Sequence, residues 1–327
     1  MHLRRTLATI ALLATAAAPA GPPVPAPANA TLANATLSDT TPAVATPAKP
    51  ALPPSVLKAR AELGHRLFYD ADLSADGSMS CATCHEQRHA FSDGNPTHPG
   101  VTDEPAIRNV PTLGNVGDLH TLTWIDQHIT TLEQQFYIPV MGHHPVEMGM
   151  SGTAELERRI AKSPCYRTLF RRAFPKTAGR IDTPSIAAAI ASFERTLITR
   201  DSPWDAPGHS LATATPAQQR GDTLFFGKAR CGTCHTPPLF TDQKFYTIDP
   251  RHPARIRTPS LRNIAVTGPW LHDGTAPTPE AAIEAHHTLP PLTPSETSDI
   301  AAFLSLLTDT RFLTSPAFSL PPESCDP

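Results

Sequence analysis

The sequence has no block of like charge, no apolar run long enough to cross a bilayer, and few aromatic side chains. Of its 327 residues 6% are Phe, Trp or Tyr, and 30 acidic against 27 basic residues leave a net charge of −3. A chain with no basic patch is not built for nucleic acid. The apolar run LATIALLATAAA is too short for a stable membrane span. Arg4 and Arg5 precede it, small residues such as ANA at 28–30 follow, and no acidic residue appears before Asp39. Residues 1–30 therefore read as a signal peptide, and the expected location is periplasmic. Residues 31–54 are rich in Pro, Ala and Thr and almost free of aromatics, the composition of a disordered linker. No alternating strand pattern and no Asn-Gly hairpin signal appears, so the expected fold class is mainly α.

Helix starts, by contrast, are plentiful. Thr-Pro recurs at 183–184, 215–216, 278–279 and 293–294, where a capping residue and a first-turn proline would stand. Glu296 completes a capping box with Thr293. Ser55 and Thr153 are expected to cap two further helices. The chain also repeats itself. LGHRLFYD precedes one Cys-x-x-Cys-His motif and RGDTLFFG precedes a second; RNVPTLGNV with Trp124 follows the first, and RTPSLRNI with Trp270 the second. This order implies two related units: residues 55–205 and residues 206–327.

The two motifs are Cys81, Cys84, His85 and Cys231, Cys234, His235. Two thiols at this spacing can add to the two vinyl groups of a haem, and the adjoining imidazole then binds the iron. A redox thiol pair needs no histidine and suits a βαβ pattern, and a zinc site wants a fourth ligand nearby. Two covalently bound haem c groups, one per unit, are the expectation. The second axial position of each iron has many candidates: His98, His128, His143, His144, His272, His286, His287 and the methionines. Spacing does not choose among them. Cys165 and Cys325 are left over, either as a pair or as free thiols.

LGHRLFYDADLSADGSMSCATCH, AFSDG, RNVPTL, TLEQQ, PVEMG, ASFERTLITRDSPWD, CGTCH and TPSLRNIAVTGPWLHDG together resemble the bacterial dihaem cytochrome c peroxidase and MauG superfamily. LTWIDQHITTLEQQFYIPVMGHHPVEMG is most similar to its methanobactin-associated branch, whose members oxidise a tryptophan on a partner protein. The resemblance implies two cytochrome-c-like helical domains in tandem, with an N-terminal haem on His85 that reacts with hydrogen peroxide and a C-terminal haem on His235 that transfers electrons. It implies a distal pocket of Gln135, Pro139 and Glu147, with Trp124 between the haems. It also implies a calcium ion held by the Asn109 side chain and the carbonyls of Thr267 and Pro269. The second ligand of the C-terminal haem falls 14 residues after His272, at His286, where the peroxidases have methionine and MauG tyrosine; His287 is the fallback. A distal histidine found in some peroxidases is replaced by Val101, which implies an open first haem.

The expected activity is therefore an exported oxidoreductase with hydrogen peroxide as acceptor. Its electrons come from a small redox protein, a cytochrome c or cupredoxin, or from a side chain of a protein substrate. The alternative is an electron-transfer dihaem cytochrome without peroxidase activity, which needs both irons closed.

Overall fold

The computed structural model describes residues 52–207 and 211–322. The expected signal peptide 1–30, nearly all of linker 31–54, and Cys325 lie outside the described residues. Cys165 is disulfide-bonded rather than a free thiol.

The first half carries helices α1 (Pro54–Phe68), α2 (Cys81–Cys84), α3 (Leu132–Gln135), α4 (Tyr137–Met141), α5 (Thr153–Ile160), α6 (Pro164–Ala173) and α7 (Thr183–Glu194). The second carries α8 (Pro216–Phe226), α9 (Pro279–Glu284), α10 (Pro294–Leu304) and α11 (Thr310–Thr314). Strand is confined, among the described residues, to the antiparallel pair β1 (Phe245–Tyr246) and β2 (Ile256–Arg257). Two residues per strand are too few for alternation to register in the sequence.

Thr215, Thr278 and Thr293 cap α8, α9 and α10, each accepting a hydrogen bond from a backbone N–H of the first turn. Three expected caps are displaced. Asp182, not Thr183, caps α7, because the Thr183 hydroxyl is committed to Glu157 Oε1 at 2.9 Å. Thr153 opens α5 behind Gly152, and Ser55 lies within the first turn of α1 behind Pro53. Helix α9 stops at Glu284, so His286 sits in the turn beyond it.

Two helix crossings organise the core. Helix α1 packs on α7, where a Cβ at Gly64 would stand 1.8 Å from the Ala189 carbonyl oxygen. Helix α8 packs on α10, where a Cβ at Gly221 would stand 1.9 Å from the Asp299 carbonyl oxygen. Each glycine opens the same Gly-x-x-Leu-Phe pattern, and only glycine allows such close backbone approach. The apolar side chains form two clusters accordingly. Leu63, Leu67, Phe68, Ile186, Ile190 and Phe193 centre the first, and Phe225, Phe240, Ile300 and Phe303 the second. Residues 310–319 return to the first cluster, where Phe312 and Phe318 pack on Phe91.

The loops repeat as well. In Pro111–Asn115 and Pro259–Asn263 the hydroxyls of Thr112 and Ser260 donate to Ala90 O and Leu239 O, both at 2.6 Å. Each loop ends on a buried asparagine in the left-handed region, Asn115 at φ 57° and Asn263 at φ 60°. Asparagine tolerates that conformation better than most side chains. Each amide braces its own half, Asn115 Oδ1 accepting from Thr199 N and Asn263 Oδ1 from Asp309 N, and Asn263 Nδ2 crosses to the other by donating to Thr199 Oγ1.

Candidate functional site

Each Cys-x-x-Cys-His motif lies on one short helical turn that follows a Leu-Phe pair of α1 or α8. All four thiols are free. Burial pushes the Cys84 thiol up to about 12, helped by the nearby Glu147 and Asp93 charges, and the Cys231 thiol up to about 11. Unmodified, these cysteines would be inert thiols.

The motif histidines are held alike. His85 Nδ1 lies 2.7 Å from Phe91 O, and His235 Nδ1 lies 3.0 Å from Phe240 O. A carbonyl only accepts, so both rings carry their proton on Nδ1 and leave the Nε2 lone pair free for a metal. Phe91 at φ 60° and Phe240 at φ 54° occupy the left-handed region, a strained choice for phenylalanine that turns these carbonyls onto the rings. Burial lowers the pKa of His85, and burial with the His286 charge lowers that of His235 to about 4. Both are neutral imidazoles, the form that ligates iron.

At the second motif a cavity of about 270 Å³ is lined by Cys231, Cys234, His235 and His286. His286 Nδ1 bonds Ala282 O at 2.8 Å, again freeing Nε2, and burial lowers its pKa. His287 turns outward, its Nε2 2.6 Å from the exposed Arg251 guanidinium. His286, not His287, therefore stands on the wall facing His235. The cavity is otherwise mostly apolar, with Leu261, Ile264, Ile283 and Leu304 on its surface. Paired thiols, two neutral imidazoles and an apolar slot fit a haem.

Of the expected distal residues, Gln135 ends α3, Pro139 lies on α4, and Glu147 lies on the loop 142–150 near Cys84. Pro139 O accepts from Met148 N at 2.9 Å, and Glu147 O accepts from Val101 N at 2.8 Å. The loop comes this close because Gly100 has no Cβ to strike the Val146 carbonyl. Neither the Gln135 nor the Glu147 side chain hydrogen-bonds another described residue, although both are half-buried. Burial raises the Glu147 carboxyl, and the His98 charge opposes this. Val101 carries no ligating atom, and His98 Nδ1 is held by a 2.7 Å bond to the buried Asp93 carboxylate, with the ring near both His85 and Glu147.

Trp124 is buried between the halves, its Nε1 donating to Asn109 O at 2.7 Å. Asn109, Thr267 and Pro269 line the same cavity as Trp124, but the Asn109 amide donates at 3.2 Å to Asn95 O and Pro96 O. Of the other histidines, His128, His143 and His144 are exposed, and Met148 and Met150 are core residues.

Three further buried groups belong to no motif histidine, cysteine pair or distal residue. Asp93 orients His98 beside Glu147. Glu194, at the end of α7, is raised by burial to about 8. Arg257, on β2, lines the second cavity. The Asp in AFSDG and the Glu in ASFERTL were visible as parts of motifs, but their burial depends on distant packing.

Residues 58–209 match the family model described as di-haem cytochrome c peroxidase. The methylamine utilization protein MauG of Methylorubrum extorquens is 35% identical over 244 residues, covering 69% of this chain and 67% of the relative. The cytochrome c551 peroxidase of Nitrosomonas europaea is 32% identical over 286 residues, covering 80% and 82%. Among solved structures, a MauG-like protein associated with microbial copper homeostasis is 33% identical with a TM-score of 0.73, covering 81% of this chain and 93% of that one.

Proposed function

Because the chain belongs to the di-haem cytochrome c peroxidase family, and is thus an oxidoreductase with two haem groups, we propose a division of labour between its motifs. Peroxide is reduced at the first, on His85, and electrons enter through the second, on His235 and His286. The observation that carries this reading is the contrast between the sites. Opposite His235 stands a free imidazole Nε2; at the first motif stand a glutamine and a carboxyl with no hydrogen-bond partner among the described residues. When bound through Cys81, Cys84, Cys231 and Cys234, the haems supply the iron for the redox chemistry.

The protein's own groups handle protons and position. Reduction of hydrogen peroxide takes two electrons and two protons and yields two waters. Glu147, its pKa raised by burial, takes the proton from one peroxide oxygen and delivers it to the other. Gln135 hydrogen-bonds the bound peroxide, and Pro139 fills the wall without adding a competing donor. Trp124 offers its indole as the relay between the sites. Calcium bound by Asn109 Oδ1 and the carbonyls of Thr267 and Pro269 would fix the same wall from which Trp124 hangs, and the Nδ2 bonds to Asn95 O and Pro96 O do not compete for that oxygen.

The electron source is a side chain of a partner protein rather than a diffusing carrier. Two things support this: the absence of an imidazole at Val101 and the likeness to the MauG proteins. The domains divide at 205–206, and the chain is exported to the periplasm behind the 1–30 signal.

The test is an EPR and optical spectrum of the ferric protein before and after one equivalent of peroxide. One high-spin and one low-spin haem, with a spectral change on peroxide that Glu147→Gln slows, is the expected result. Two low-spin haems unmoved by peroxide, even after one-electron reduction, would leave an electron carrier.

A further inference from the structure

Arg257 is 3% exposed, yet no acidic side chain among the described residues pairs with it. Its backbone N–H donates to Trp124 O at 2.9 Å and its Nε to Thr123 O at 3.0 Å. Its Nη1 is buried without a hydrogen-bond partner. Burying a guanidinium without an anion is costly, and the fork of an arginine matches a carboxylate. The residue lines the cavity of the second motif, and so does His272, whose buried Nδ1 is also without a partner. Two unsatisfied polar groups thus line one otherwise mostly apolar slot. Something anionic with hydrogen-bond acceptors completes it.

We propose that Arg257 is a positioning residue that anchors a carboxylate of the haem held by Cys231, Cys234 and His235, while its backbone N–H and Nε hold the Trp124 segment. A haem carries two propionate groups, so the slot's occupant brings the missing acceptors with it. The arrangement ties the backbone of Thr123 and Trp124 to the haem edge through one residue. The inference rests on the reading that the second motif carries a haem. Burial lowers the Arg257 pKa to about 10, which leaves the guanidinium charged at neutral pH.

The experiment is a spectroelectrochemical titration of the low-spin haem across pH, preceded by a haem count on the same samples. A wild-type count short of two haems refutes the underlying reading and leaves Arg257 without its stated ligand. With two haems present, a guanidinium-paired carboxylate stays ionised, so the wild-type midpoint potential is flat around neutral pH. A potential that instead slopes with pH there overturns the proposal in the unmodified protein. In Arg257→Gln the potential falls, because a positive charge near the iron is lost, and acquires that slope. Arg257→Lys keeps the charge but not the fork, and lies between. An Arg257→Gln protein with both haems and the wild-type potential also overturns the proposal. So does a wild-type potential that tracks chloride concentration and loses this dependence in Arg257→Gln, since the anion is then a free one.

Discussion

The two halves are built from the same parts and finish differently. Both use a helix-crossing glycine, a Leu-Phe pair, a motif histidine braced on a phenylalanine carbonyl, and a left-handed asparagine. They part at the far side of the iron position. The second half supplies a buried imidazole, His286, from the turn after α9. The first half supplies instead α3, α4 and a loop that present Gln135, Pro139 and Glu147. On the proposed reading, the repeated scaffold holds the haems and the unrepeated segments set their different roles.

The largest expected effect breaks this contrast at its chemical end. Glu147→Gln should slow the reaction with peroxide roughly 10²- to 10⁴-fold, as loss of a general acid–base does, and leave the potential of the second haem unmoved. Stopped-flow kinetics with peroxide checks the first and a redox titration the second. The wild-type rate should also rise with pH through the raised Glu147 pKa, since the carboxylate is the form that takes the proton.

The shared framework comes next. Gly64→Ala and Gly221→Ala each drive a methyl into backbone and should cost about 1–3 kcal/mol or more, measured by urea unfolding of the haem-loaded protein. Equal losses would mean that the two crossings bear equal weight; a loss confined to one would separate the halves.

Glu194 has no counterpart in the second half and gives an asymmetric pH response. The folded protein keeps its carboxyl protonated up to about 8, whereas the unfolded chain loses that proton near 4.5. The folded state binds more protons in this window, so stability falls as pH rises through it. Thermal unfolding should show this fall in wild type and a flatter profile in Glu194→Gln. A profile unchanged by the substitution would sink the assignment.

The smallest effect tests equivalence. Asp182→Ala on α7 and Thr293→Ala on α10 each remove one cap and should cost about 1 kcal/mol, read as similar shifts in a denaturant midpoint.

The caps show what the sequence makes legible. Thr215, Thr278 and Thr293 depend on neighbours within three residues, so a Thr-Pro pair suffices to find them. Thr183 fails because Glu157, 26 positions away, claims its hydroxyl. The haem motifs are equally local, and His286 could be reached by counting from His272. Its brace on Ala282 could not, because it depends on the turn in which α9 ends. Arg257 and Glu194 are out of reach for the same reason as Thr183. A charged residue in sequence reads as exposed, and only the fold reveals that Trp124 or Cys81 lies over it.

The tail that returns to the first cluster has a bearing on how the protein is made. Gln87, two residues past the first motif, donates through Nε2 to Phe312 O and Ser315 O; Tyr69 OH donates to Phe318 O, and His65 Nε2 lies 2.7 Å from Ser319 O. Translation delivers residues 309–322 only after everything between the two motifs has been synthesised. Until then the earlier half lacks one wall beside its own Cys-x-x-Cys-His turn. The docking of residues 310–319 therefore makes the surroundings of the first motif depend on a segment more than 220 positions away in sequence.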